Sequence, residues 1–257
     1  MENRKHENYR ELIWMLAKTD FKLRYHGSFL GYIWVLLKPL CIFAVLNFVF
    51  SAMFGASGTY SLELLVGLML FFFFSEGTTA GMGSLLSKAQ LVTKIYVPRW
   101  TIIVASTINA TMIFLMNLVV IALFFAIKGF MPSIGSILIF FIFSIFMYIL
   151  ILSFSLITAP LYVKFRDLAM IWEVLLMILM YASPIIYPLS IIPAKYHVIF
   201  LLNPLAFIVH FTKQALIHNQ SVISTHYVLV FFAIVISVFA LGMYSYRKLI
   251  PKVAENI

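Results

Sequence analysis

Charge is scarce in this chain, and negative charge is scarcer still. Asp, Glu, Lys and Arg supply only 11% of the 257 residues, with 9 acids against 18 bases. At 63% hydrophobic residues and a mean hydropathy of +1.05, there is too little polar surface to coat a soluble globule, so the composition specifies an integral membrane protein. Cysteine is nearly missing. The single Cys41 excludes an internal disulfide and a cysteine-based metal cluster, and its apolar surroundings read as those of a small core residue. Catalytic patterns are missing too: there is no His-Glu-x-x-His helix, no Gly-x-Ser-x-Gly elbow and no paired carboxylates in a loop. His6, His26, His197, His210, His218 and His226 are scattered without ligand spacing, so no metal is expected. Without a Gly-x-x-x-x-Gly-Lys-Ser/Thr loop the chain cannot hydrolyse nucleotide itself, and any ATP drive would need another subunit.

What is present is long apolar runs. A helix rising ~1.5 Å per residue needs about 20 residues to cross ~30 Å of hydrocarbon. Six stretches qualify: Gly31 to Phe54 with Lys38 inside, Leu64 to Leu85 with Glu76, Thr101 to Ile127 with no charge, Ser133 to Tyr162, Leu168 to Pro188 with Glu173, and Tyr227 to Tyr246. These are far too long for barrel strands, and isolated strands cannot satisfy their backbone in lipid, so the fold class is all-α with six transmembrane helices. The fourth run exceeds what a bilayer requires, which calls for tilt or extension into the interface. The chain divides into a cytoplasmic interfacial segment (1–30), a six-span bundle (31–246) and a cytoplasmic tail (247–257), forming one membrane domain.

The formal charge of +9 would suggest nucleic acid in a soluble protein; here its position relative to the spans gives it another meaning, and no nucleic-acid partner is expected. Counting Arg4, Lys5, Arg10, Lys18, Lys22, Arg24, Lys38, Lys88, Lys94, Arg99, Lys164, Arg166, Arg247, Lys248 and Lys252, 15 of the 18 bases fall on one side. Lys128, Lys195 and Lys213 fall on the other. The positive-inside rule therefore predicts both termini in the cytoplasm. No cleavable signal peptide is expected, because the first apolar run begins some thirty residues in.

The N-terminal segment is charged yet periodic. Tyr9, Leu12, Ile13 and Leu16 recur at helical spacing, which predicts an amphipathic interfacial helix with Trp14 near headgroup level and Asp20 within reach of Arg24. Two readings of its bases stand side by side. They are topogenic charge alone, or Lys22, Arg24 and Tyr25 at the mouth of the first span attract an anionic headgroup such as a lipid phosphate or pyrophosphate. Glu76 and Glu173 lie toward cytoplasmic helix ends, where intramembrane acids are either functional or paired structurally with Arg or Lys. Gly77 and Gly81 form a small-x-x-x-small step suited to close packing within the bundle or between protomers.

Two connections look built for partners or gating. Ser84 to Trp100, SLLSKAQLVTKIYVPRW, is a short basic helical segment ended by Pro98, a candidate docking helix or an ordinary connection. After the fifth span, Pro184, Pro188, Pro193 and Pro204 interrupt a strongly apolar stretch, which predicts short re-entrant helices on the external side rather than one continuous helix.

Five blocks together carry a resemblance: DFKLRYHGSFLGYIWVLLKPL (Asp20 to Leu40), LVTKIYVPRW (Leu91 to Trp100), YVKFRDLAMIWEV (Tyr162 to Val174), SPIIYPLSIIP (Ser183 to Pro193) and LNPLAFIV (Leu202 to Val209). In this order the chain resembles, over nearly its whole length, the permeases of ABC-2 type exporters of lipid-linked polysaccharides such as O-antigen, capsule or teichoic acid. His26 stands where a basic residue is more usual. The resemblance implies a non-enzymatic subunit of the cytoplasmic membrane of a bacterium or archaeon, acting as a homodimer with two nucleotide-binding subunits. Those subunits would hold ATP and Mg, and this chain would carry no cofactor.

Its cargo would be a polyprenyl-pyrophosphate-linked glycan, O-antigen-like ahead of the others, met at an entrance formed by Lys22, Arg24, Tyr25 and His26. Trp34, Tyr181 and Tyr187 would contact sugar in a channel. Ser87, Lys88, Lys94, Tyr96, Pro98 and Arg99 would dock the ATPase. Structural or gating roles would fall to Glu76, Gly77, Gly81, Arg166, Asp167, Glu173, Pro184, Pro188, Pro193, Asn203 and Pro204. A permease for drugs or small lipids would share this topology but more often lack the Arg-Tyr entrance and the proline-rich gate. A membrane enzyme acting on lipid-linked sugars would need an acidic cluster or metal pair, which the sequence does not contain.

Overall fold

The computed structural model describes residues 2–25, 30–54, 58–94, 97–219 and 224–253, and among them there is helix and turn but no strand. Ten α-helices follow in order: α1 (Glu2–Tyr25), α2 (Trp34–Phe54), α3 (Tyr60–Ser87), α4 (Ala89–Lys94), α5 (Arg99–Ile127), α6 (Ile134–Lys164), α7 (Leu168–Ala182), α8 (Ala194–Leu202), α9 (Pro204–His218) and α10 (Thr225–Leu249). Five of them, α2 with its preceding 3-10 turn, α3, α5, α6 and α10, are long and apolar enough to cross a bilayer unaided. Their ends lie within a few residues of the apolar runs, several helices continuing through a flanking charge such as Glu63, Lys164 or Arg247. Between α5 and α6 the turn passes through Gly129 at φ +63, a left-handed conformation that disfavours side chains. Ser133 then caps α6 by accepting the Ser136 backbone N–H at 3.2 Å.

The fifth crossing is built differently from its prediction. Its helix, α7, stops at Ala182 after 15 residues, about 22 Å of rise and short of the hydrocarbon thickness. The crossing is completed by the buried turn at residues 183–186, since the Tyr60 hydroxyl at the head of α3 donates to the Ile186 carbonyl at 2.9 Å. Pro184 and Pro188 explain the early stop: apolar composition continues, but helical hydrogen bonding does not. Beyond a 3-10 turn at Leu189–Ile191, α8 and α9 form a hairpin bent by 113°. Asn203 caps α9 by accepting the Leu205 N–H at 3.0 Å and donates from Nδ2 to Ser183 Oγ at 3.2 Å. The C-terminal end of α9 returns to the head of α3, where His218 meets Glu63 at 3.1 Å. The pair therefore re-enters from the end of the bundle opposite its basic end, as the four prolines predicted.

The central helix is α3. Buried residues make up 72% of its apolar window against 17% for α2 and α10, and it packs chiefly on α5 and α6. Lipid tails are as apolar as leucine, so spans associate through close packing and polar pairing rather than hydrophobic exclusion. Glycine supplies the close packing: a Cβ on Gly77 would lie 2.7 Å from Ile151, and one on Gly81 would run into Ser155. The glycine step thus packs against α6 of the same chain. Gly242 on α10 likewise meets the Ser153 carbonyl oxygen, 2.7 Å from where its Cβ would stand. Aromatic contacts bind the hairpin to the bundle, with Phe207 of α9 stacked on Phe231 of α10 at 4.4 Å. Cys41 lies on the exposed side of α2 and is not the core residue its apolar neighbours suggested.

Candidate functional site

The amphipathic helix α1 runs beside the first half of α5, with Tyr9 against Trp100 at 6.2 Å between ring centroids and Ala17 fully buried. Its hydrophobic stripe is thus spent on protein, although Trp14 and Met15 stay exposed. Two ion pairs fasten its C-terminal half to α3 and the turn after it: Asp20 to Lys88 at 2.5 Å, and Arg24 to Glu76 at 2.6 Å. Arg24 therefore pairs across the fold rather than with Asp20 on its own helix. Lys38, one turn into α2, approaches the other Glu76 oxygen at 3.8 Å. Among the described residues, two cations on one carboxylate leave one unit of positive charge.

This cluster closes one end of a cavity of about 370 Å³ between α2, α3 and α5. Trp34, Phe72, Phe73 and Phe114 form its walls, Phe73 stacking on Phe114 at 4.3 Å, and Asn117 lies at its far end. Depth follows from helix rise. Glu76 is 16 residues from the first residue of the 28-residue α3, about 24 Å along the axis, which sets the charged cluster near the basic-side edge of a ~30 Å hydrocarbon layer. Such a site, cationic at the rim and aromatic within, suits an anionic group carrying a flat-faced ring.

The remaining residues picked from the sequence divide between the two ends. At the basic end Lys22 is exposed, while the Tyr25 side chain and His26 lie outside the described residues. Lys88 and Arg99 are turned inward: Lys88 holds Asp20, and Arg99 donates to the Ile250 carbonyl at 2.7 Å, tying the connection between α3 and α5 to α1 and to the end of α10. Ser87 donates to the Ser84 carbonyl, and Pro98 immediately precedes α5. The Lys94 side chain and Tyr96 also lie outside the described residues. Arg166 and Asp167 are exposed in the turn before α7, and Glu173 faces outward without an ion-pair partner among the described residues. Of the two readings left open for these acids, functional or structurally paired, pairing is seen among the described residues at Glu76 and not at Glu173.

At the opposite end Tyr187 donates to the Tyr181 carbonyl at 2.7 Å, far from Trp34, so the three aromatics expected to contact sugar do not form one surface within this chain. Pro184, Pro188, Pro193, Asn203 and Pro204 gather around the re-entrant hairpin.

Two polar residues escaped the sequence reading. Lys213, counted there only as an external base, is buried in α9 and donates to the Pro184 and Ile185 carbonyls at 2.7 and 2.8 Å. It passes over Gly67, where a Cβ would lie 2.8 Å from its Cε. A base among apolar residues in FIVHFTKQALI was the available signal. Asn117 gives a weaker signal, because its amide is neutral and does not stand out as a charge in the third span.

Comparison with known proteins bears on the whole chain. Residues 11–217 match the family model described as ABC-2 type transporter. Two proteins of Klebsiella pneumoniae, each named O-antigen export system permease protein RfbA, are similar to it. One is 26% identical over 239 residues, 93% of this chain and 92% of the relative; the other is 27% identical over 241 residues, 92% and 93% respectively. A protein of the same name from Myxococcus xanthus is 27% identical over 185 residues, covering 72% of this chain and 71% of its own.

Proposed function

The chain belongs to the ABC-2 type transporter family, and on that premise we propose that it is the permease of an ATP-driven exporter of a polysaccharide carried on a polyprenyl pyrophosphate. The observation that carries the reading is the Arg24–Glu76–Lys38 cluster at the mouth of an aromatic-walled cavity, near the edge of the hydrocarbon layer. A pyrophosphate needs cations, its lipid tail needs access from the bilayer, and its sugars need flat faces; the cluster, its depth and Trp34 supply one each. The names of the similar proteins point to an O-antigen-like cargo.

ATP and Mg would be bound by a partner ATPase subunit, docked on the basic end around α4 and the face of α1 left exposed. The excess of bases at that end supports a cytoplasmic location for it and for both termini. A second copy of the chain suits the outward face of α7, where Glu173 stands among Met170, Ile171 and Val174, since lipid offers a carboxylate nothing to pair with. Glycan would then pass between protomers, with the proline-rich hairpin as the exit gate.

The test is reconstitution with and without the cognate ATPase in liposomes holding a polyprenyl-pyrophosphate-linked glycan. ATP-dependent appearance of glycan in the opposite leaflet, absent without the ATPase, is the expected result. Transport by this chain alone down an ion gradient would overturn the proposal.

A further inference from the structure

Asn117 contradicts the chemistry of its surroundings. It sits in a span without charge, it is 4% exposed, and its Nδ2 donates to the Ile113 carbonyl one turn back at 3.1 Å. Its Oδ1 is buried with no hydrogen-bond partner, one of two such side-chain atoms among the described residues, the other being Thr212 Oγ1. An orphaned buried acceptor is destabilising, and apolar residues of similar size could fill the position without that cost. The residue lines the same cavity whose opposite end holds Arg24, Lys38 and Glu76.

The two ends are separated by a definable distance. Phe73 and Phe114 face each other across the antiparallel α3 and α5; Glu76 lies three residues toward the basic end, and Asn117 three residues the other way. Six residues of rise put about 9 Å along the axis between the charged cluster and the amide. Stacked Phe73 and Phe114 with Trp34 line the space between. A phosphate at one end and a ring bearing a hydrogen-bond donor at the other would span it.

We propose that Asn117 is a specificity residue for the first sugar of the cargo, its Oδ1 accepting a hydroxyl or acetamido N–H from the ring whose phosphate is held at Arg24 and Lys38. This rests on the reading of the chain as an exporter of phosphate-linked glycans. The aromatic walls carry the ring faces, and the amide distinguishes a sugar-bearing lipid from one that carries pyrophosphate alone.

The probes are a polyprenyl pyrophosphate and the same lipid carrying one N-acetylhexosamine, titrated by native mass spectrometry onto the full transporter complex in nanodiscs. Wild type is expected to prefer the sugar-bearing lipid by about five- to tenfold, the worth of one neutral hydrogen bond. Asn117→Leu is expected to lose that preference while binding the sugar-free lipid as wild type does. Asn117→Thr, whose hydroxyl can bond back to its own helix, should behave the same way and serves if the leucine variant does not assemble. Retention of the preference in either variant overturns the proposal, as does equal binding of both lipids by wild type, the result expected if Oδ1 holds only a buried water. If wild type binds neither lipid, the headgroup reading falls and takes this one with it. Binding without discrimination removes the sugar contact alone.

Discussion

Replacing Arg24 and replacing Glu76 break the same ion pair, yet an entrance for an anion requires opposite consequences. A phosphate within reach of the Arg24 guanidinium also approaches Glu76, because the two side chains touch at 2.6 Å. Arg24→Ala removes a charge-assisted hydrogen bond of about 1.5–3 kcal/mol. With the Arg24 side chain 41% exposed, solvent screening favours the lower figure, so about a tenfold rise in the lipid concentration giving half-maximal stimulation of ATP hydrolysis is expected. Glu76→Gln removes a repulsion of about 1 kcal/mol at 4 Å in a water-like dielectric, larger at the lower effective values inside protein. It should lower the same concentration by about fivefold, an effect that fades as salt is raised. The helix stays docked in both variants because Asp20 still holds Lys88. The assay is ATPase activity of the reconstituted complex against glycolipid concentration at two ionic strengths. If both variants shift the half-saturation point in the same direction, or Arg24→Ala leaves it unmoved, Arg24 is a tether between α1 and α3 and the entrance reasoning is refuted.

Other expectations follow from packing and polar pairing. Gly242→Ala should lower the thermal midpoint in detergent, by about 1–3 kcal/mol in stability, because the intruding Cβ meets the Ser153 backbone; Gly83→Ala, with nothing within 4 Å, should be neutral or stabilising by up to about 1 kcal/mol. Lys213→Met leaves the Pro184 and Ile185 carbonyls without their donor, so in a Cys41→Ser background a Leu189→Cys reporter, buried in the 3-10 turn that leads into the hairpin, should react faster with an impermeant maleimide. Unchanged labelling would show that packing alone holds the hairpin. Asp20→Asn together with Glu76→Gln should make α1 susceptible to limited proteolysis, whereas either change alone should leave it protected.

The spans were legible because the bilayer imposes one length and one polarity on every crossing, and Arg99–Ile127 differs from its predicted start by only two residues. The fifth was misjudged in form because hydropathy does not register where hydrogen bonding stops: Ala182 and Pro188 are equally apolar surroundings, but one ends a helix and the other begins a turn. Arg24 was visible as a candidate, while its partner lies 52 residues away and no periodicity links them. Trp172 donating to Thr78 at 3.1 Å, 94 residues apart, was invisible for the same reason. Asn117 and Lys213 had local signals, a polar side chain in an apolar helix, but what each does depends on which neighbour leaves a cavity or a bare carbonyl beside it.

Lys213 also bears on how the chain is made. A lysine entering the bilayer centre on an isolated helix costs about 2.5–3.5 kcal/mol on insertion scales, so α9 is a poor candidate for partitioning by itself. The carbonyls that accept its ammonium belong to residues 29 and 28 positions earlier, already synthesised when α9 leaves the ribosome. The segment from α7 through α9 is therefore suited to leave the translocon as one unit, its ammonium hydrogen-bonded by local backbone before lipid is met. In a truncation series fused to a glycosylation reporter, α9 should integrate efficiently only when residues 183–186 precede it.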